Sequence, residues 1–316
     1  MSRFSLSLQD AAPPMAAVQI LGSRISGLAL EDRGGRCTVV AHATEALPEQ
    51  ALVPALNTLN VRDRTVVAAA LGRVLERIGN PRRIGLVVAD PVVKVSLVRL
   101  QQVPGRAQDL EQVIRWQVRK SAPFAIDDAQ VSFVPGIAAA DGQEFIVTLA
   151  RRDVIAEYES LCDAAGAQAG IVDLSTFNVV NAVIAAGSVP PGDWLLVNVS
   201  AGWESIAIMR GGQLIFFRSH GADGEGTLTD VVHQTAMYYE DRLGGSGFSR
   251  VLLCGGAEAG DPATLRRTLG ERLMTDVEAV DPTRAASMTD RIGAAPALLD
   301  ALTPLVGLIL RNREAA

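Results

Sequence analysis

The sequence predicts an α/β protein built from two related domains packed around a cleft. Three observations carry that prediction. A meander of three apolar strands occurs twice, about 175 residues apart, each time with a first turn of Gly, Ser or Ala. An "RGG" triplet turns the second strand into the third in both copies. Each meander is then followed by alternating helical and strand patterns.

Composition agrees with an ordered chain. Of 316 residues, 48% are hydrophobic and 20% charged, and a chain of this length buries roughly 75% of its unfolded surface. The net charge is −6 and like charges form no long block, which argues against nucleic acid or an anionic membrane as partner. Cys37, Cys162 and Cys254 are scattered and odd in number, so neither a disulfide framework nor a zinc site is expected. No signal peptide or spanning run is visible, and a cytoplasmic chain is the expectation.

In order, residues 1–13 read as a flexible leader, and "AAVQILGSRISGLALED" reads as strand, small-residue turn, strand. "RCTVVAHATEAL" is the third strand. "DRTVVAAALGRVLERIG" carries a helical stripe of Val67, Ala70, Leu71, Val74, Leu75 and Ile78 that ends at Gly79. "RIGLVVAD" is a buried strand, and "VVKVSLVRLQQVP" alternates as a strand. "DLEQVIRWQVRKSAPF" is an amphipathic helix with Trp116 and Val113 assigned to its buried face. "AQVSFVPGIAAADGQEFIVTLAR" is a hairpin, and "RDVIAEYESLCDAAG" is a helix. "AQAGIVDLS" is a strand, and "TFNVVNAVIAAG" is a helix with Ser175 or Thr176 as its N-cap.

"SVPPGD" at 188–193 divides a first domain (14–187) from a second (193–316). The second opens with "LLVNVSAGWESIAIMRGGQLIFF". It continues through the helix "TLTDVVHQTAMYYEDRL", the strand "SRVLLCGGAEAG" and two more helices, "DPATLRRTLGERL" and "APALLDALTPLVGLILRN".

Several of these stretches resemble one family. "DLEQVIRWQVRKSAPFAIDDAQVSFV", "GIVDLSTFNVVNAV" and "RVLLCGGAEAGD", in that order, are similar to segments of the type IV pilus assembly protein PilM, a branch of the actin-like ATPase superfamily related to FtsA. The likeness runs over about residues 16–312. It implies a duplicated RNase H-like (actin-like) fold with an inserted subdomain at about 95–150 and a second domain lacking most of its own insert. It also implies a nucleotide site. Leu21, Gly22, Ser23 and Arg24 would form one phosphate turn, with Asn198, Ser200, Ala201 and Gly202 at the other and Gly255, Gly256 and Ala257 against the adenosine.

The departures fall at the chemistry. By direct alignment Ile20 and Asn198 stand where the family carries magnesium-binding carboxylates, and Gly27 where it carries lysine. Small-residue turns can still hold phosphate through backbone N–H groups, but an amide and an isoleucine cannot supply the charge magnesium wants. Losing two charged contacts costs ~3 to 6 kcal/mol, so ATP with magnesium is expected to bind weakly or not at all. Arg24 reads either as a replacement for the lysine or as a surface arginine. Gly255 and Gly256 read either as nucleotide contacts or as a tight strand-to-helix turn. Glu204 reads as a solvent-facing strand residue, and His42, His220 and His233 lack the spacing of ligands or catalytic groups.

Three functions remain open. One is a non-enzymatic scaffold of a type IV pilus or type II secretion-like machine that binds the short cytoplasmic tail of an inner-membrane PilN-like partner and is held at that membrane through it. The second is an actin-like protein that binds or hydrolyses ATP. The third, a sugar-kinase-type enzyme, would need a base and metal acids that the turns lack. The scaffold is the expected one, because a core kept without its charged site residues retains surfaces rather than chemistry.

Overall fold

The computed structural model describes residues 14–187, 189, 191–221, 226–258, 260–289, 292 and 295–311, so the predicted leader lies outside the described residues. β1 (Ala16–Ile20), β2 (Arg24–Arg33) and β3 (Arg36–Ala46) form the first meander. α1 (Arg64–Arg77), capped by the Asp63 side chain on Val66 N, leads into β4 (Arg83–Val88). Next come β5 (Val93–Leu100), α2 (Ala107–Arg119), β6 (Ala129–Ala139) and β7 (Gly142–Arg151). α3 (Arg152–Ala164), β8 (Gln168–Leu174) and α4 (Ser175–Ala185) close the first half.

The second half repeats the opening. β9 (Asp193–Ser200), β10 (Trp203–Arg210) and β11 (Gln213–Gly221) form its meander, followed by α5 (Leu228–Leu243), β12 (Arg250–Cys254), α6 (Pro262–Leu273) and β13 (Val277–Ala279). β14 (Ser287–Met288) and α7 (Pro296–Leu310) end the described chain.

The two main sheets have one topology. The first runs β14-β3-β2-β1-β4-β8 and the second β11-β10-β9-β12-β13, so in both a meander is extended by two strands parallel to its first. This duplicated order agrees with the RNase H-like unit that the resemblance implies. α1 and α3 cover the outer face of the first sheet with Val67, Leu71, Val74, Val154 and Tyr158. α5 and α6 cover that of the second with Val231, Val232, Tyr239 and Leu269. β5, β7 and β6 form a third, small sheet, on which α2 seats Ile114 and Val118.

The inner faces are covered by exchange. α4 follows a strand of the first half, yet Val179, Val180 and Val183 pack on Trp194, Leu196 and Leu252 of the second sheet. α7 follows the second half, yet Leu302, Leu305, Val306 and Ile309 pack on Ala17, Leu28 and Val87 of the first. β14 and α7, grouped by sequence with the second domain, therefore lie on the first sheet, β14 beyond β3. α7 is buried at every position from Ala301 to Leu310, because one side meets the sheet and the other meets α4. The helices touch at Gly307, where an added Cβ would stand 1.7 Å from the Asn178 carbonyl oxygen.

One expectation on α2 is reversed. Trp116 is 66% exposed, because Leu110, Ile114 and Val118 recur every four residues and turn their stripe to the sheet, which leaves position 116 on the far side.

Candidate functional site

The inner faces of the two meanders meet at the N-terminus of α4. On the first sheet Gln19 pairs with Ser26 and Ser26 with Thr44; on the second Asn198 pairs with Ser205 and Ser205 with Ser219. Each is an amide followed by two hydroxyl residues across three strands. This pairing corrects the direct alignment. Gln19 meets Ser26 and Asn198 meets Ser205 across the same seven-residue step, so Gln19, not Ile20, is the counterpart of Asn198. Ile20 faces the opposite way, fully buried among the residues under α1.

The two amides converge on one hydroxyl. Gln19 Nε2 donates to Ser175 Oγ at 3.0 Å and Asn198 Nδ2 to the same oxygen at 3.3 Å; Asn198 Nδ2 also donates to Thr176 Oγ1 at 2.9 Å. Ser175 and Thr176 are the first residues of α4 rather than its cap, which is Leu174, and their hydroxyls are spent across the cleft. Thr176 in turn donates its N–H to Asp90 Oδ1 at 3.1 Å and its hydroxyl to Asp90 Oδ2. Gln19 and Asn198 are 2% and 4% exposed, and Ser175, Thr176 and Asp90 are likewise buried.

Asp90, in the short turn after β4, is an acid that no sequence pattern singles out. Burial pushes its carboxyl up to about 6, against the pull of the Thr176 hydroxyl, the Ser205 hydroxyl and the Thr176 amide, with Asp173 adding to the rise. Ser205 Oγ exerts that pull without a hydrogen bond of good geometry. The folded carboxyl keeps its proton to higher pH than an unfolded one near 3.8, so it subtracts stability as pH rises through that interval, in total by ~3 kcal/mol. The penalty is absent below the interval and full above it. Asp90→Asn should remove this slope: urea unfolding should show the variant gaining on the wild type by ~2 to 3 kcal/mol between about pH 4 and about pH 7. Parallel pH profiles would contradict the assignment.

The predicted turns are placed separately. Gly22 lies against the 52–54 segment, where a Cβ would be 3.1 Å from the Leu52 carbonyl oxygen, and the Ser23 carbonyl accepts from Leu47 N–H at 2.8 Å. Ser200, Ala201 and Gly202 form the β9–β10 turn, with Gly202 at φ 88°. Its neighbour Trp203 is buried in the core of the first half. Glu204 points away from Asn198 and meets His220 Nδ1 at 3.1 Å, with 16% of its side chain exposed; it is not the solvent-facing residue expected. Gly255 has φ 81°, and a Cβ there would be 1.8 Å from the Val199 carbonyl oxygen, so the turn requires glycine for its own geometry.

Arg24 and the Gly255–Ala257 turn do come together. They share a cavity of about 340 Å³ with Thr44 and Asp300 of α7. Asp300 accepts from Ala257 N–H at 3.3 Å; burial lowers the pKa of Arg24, and Asp300 opposes that drop. Arg24 is thus not a plain surface arginine. Asp300 has a sequence signal: it is the single charged residue among the apolar positions of α7.

Magnesium-ATP does not fit these residues. The paired inner-face positions are amides already bonded to Ser175, the buried acid is bonded to Thr176, and a carboxylate stands on the glycine turn. Among the described residues no three His, Cys, Asp or Glu side chains gather as metal ligands.

A second site lies beside the inserted sheet. β6 is an edge strand of that sheet and β8 an edge strand of the first, and an open cavity of about 480 Å³ runs between them. Val134, Pro135, Val172, Phe177, Val180 and Leu214 give it apolar walls; Asp173 and Arg311, 3.3 Å apart, add one charge of each sign. It continues past Ser132, Thr148 and Val172 into a smaller space of about 80 Å³ bounded by Val88, Val93 and Ile155.

Comparison with known proteins agrees with this architecture. A solved PilM-PilN type IV pilus biogenesis complex contains a chain that superposes with a TM-score of 0.80 at 17% identity, covering 94% of this chain and 97% of that one. A Bacteroides thetaiotaomicron protein of actin-like ATPase fold and unknown function matches with a TM-score of 0.50 at 11% identity, over 84% and 89% of the two chains. The family profile described as type IV pilus assembly protein PilM matches residues 18–243. With that match over most of its length, on this duplicated fold, the chain belongs to the type IV pilus assembly protein PilM family.

Proposed function

We propose that the chain is a non-enzymatic assembly scaffold that takes the extended cytoplasmic tail of a PilN-like inner-membrane protein into the groove between β6 and β8. The observation that carries this reading is the groove itself: two sheet edges face one apolar-walled channel. An edge strand offers unpaired main-chain groups, which an extended peptide can satisfy, while alternate side chains enter the pockets. The solved PilM-PilN complex of the same fold supports the choice of partner. No helix among the described residues is long and apolar enough to cross a membrane, which fits a chain held there by another protein.

The reading as an ATP-binding or ATP-hydrolysing protein draws no support from the amide and hydroxyl seam at α4. The sugar-kinase reading draws no base from Asp90, which is fully buried. A short tail loses entropy on ordering, so a dissociation constant near a micromolar is expected, about −8 kcal/mol, with avidity added when several copies line a membrane. Fluorescence anisotropy with labelled tail peptides tests this. Val134→Asp, at a position 55% exposed, should leave the fold intact and weaken binding about tenfold or more. Unchanged affinity in that variant would move the site elsewhere.

A further inference from the structure

We propose that Asp300 is a built-in anion: it fills the peptide-amide cradle of the Gly255–Ala257 turn and bridges that turn to Arg24, holding the cleft between the halves shut from inside. The contacts come from four elements. Ala257 N–H donates to Asp300 Oδ2 at 3.3 Å, and the Gly255 amide also favours the ionised form of this carboxylate. Arg24 approaches from the start of β2 and Arg266 from α6, and both favour the ionised carboxylate. Asp300 therefore lies where the first sheet, the second sheet and α7 come together around one cavity.

Helix capping does not explain it. α7 begins at Pro296 behind Ala295, so Asp300 lies beyond the first turn, where the helix no longer needs a side chain for its own N–H groups. Instead the carboxylate faces a turn with φ 81° at Gly255, the kind of backbone whose successive amides attract an anion. Burial raises the pKa of the Asp300 carboxyl, and the Gly255 and Ala257 amides with Arg24 and Arg266 offset part of that rise. About 340 Å³ of cavity stays open beside the carboxylate, next to Thr44 and Leu298. A phosphate reaching this turn would have to displace Asp300 first. The Asp300 contacts and the groove at β6 and β8 lie on separate residues, and neither depends on the other.

The test is titration of inorganic pyrophosphate at constant ionic strength into the wild type, Asp300→Asn and Asp300→Ala, read by calorimetry and thermal shift. Asp300→Ala should bind at least about tenfold more tightly than the wild type, with Asp300→Asn between them. Equal affinity in all three, or binding in none, would overturn the proposal. Should the variants fail to fold, hydrogen exchange on the wild type decides. Gly255 and Ala257 amides protected as well as those of β12 support the proposal, and exchange at open-loop rates overturns it.

Discussion

Gly307→Val should unfold the protein or destabilise it by more than about 3 kcal/mol, and Gly307→Ala should cost nearly as much. The positions meeting the new Cβ are backbone atoms: the Asn178 carbonyl oxygen at 1.7 Å, its carbon at 2.7 Å and the Ala182 nitrogen at 2.9 Å. No rotamer change relieves such a contact, so α4 and α7 must part. Parting them strips α7 from Leu28 and Val87, lifts Val179 and Val183 off the second sheet, and pulls Ser175 and Thr176 out of the seam. Gly72 is the internal control. It lies in α1, where an added Cβ would meet nothing within 4 Å, so Gly72→Ala should be neutral or stabilising by roughly 0.5 to 1 kcal/mol. Urea denaturation of both variants checks the contrast; similar midpoints would mean that the helix crossing does not hold the halves together.

Asn198→Asp, which places an acid where the resemblance implies a magnesium-binding carboxylate, should destabilise the protein by ~2 to 4 kcal/mol without creating a magnesium-ATP site. The amide now donates to Thr176 Oγ1 and Ser175 Oγ, and a carboxylate can donate to neither while ionised. It would also share Thr176 with Asp90, and two buried carboxyls so close cannot both ionise at low cost. The loss should deepen as pH rises, because the new group must then either ionise in a buried site or hold its proton above its normal range. Unfolding at acid and alkaline pH, with calorimetry against magnesium-ATP, reads both parts. A stable variant that binds magnesium-ATP near a micromolar would show that the seam is a dormant metal site.

The repeated meander is legible in the sequence because strand alternation and glycine turns are local, and the structure reproduces both copies with one strand order. The exchange of α4 and α7 is not. Both helices have broadly apolar surfaces, and nothing in such a stripe says which sheet it will meet. Gln19 is hidden for a different reason. A shift of one residue at a hairpin turns a strand over, so the choice between Gln19 and Ile20 waits on the pairing of Gln19 with Ser26. Asp90 reads as an ordinary acid before a proline; only the fold brings it under Thr176, 86 residues away. Trp116 and Asp300 do carry readable signals. The spacing of Leu110, Ile114 and Val118 excludes position 116 from the buried stripe, and a single acid in an apolar helix asks for a partner.

The proposed function is that of a chain that keeps a surface for a partner's tail and needs no nucleotide to operate it. The most direct measurement is calorimetric titration of the PilN-like tail peptide into the wild-type protein, first with a chelator and then with saturating magnesium-ATP. One site is expected, with a dissociation constant near a micromolar and the same value in both solutions. A dissociation constant that shifts about tenfold or more with magnesium-ATP, or binding that needs it, would contradict the claim.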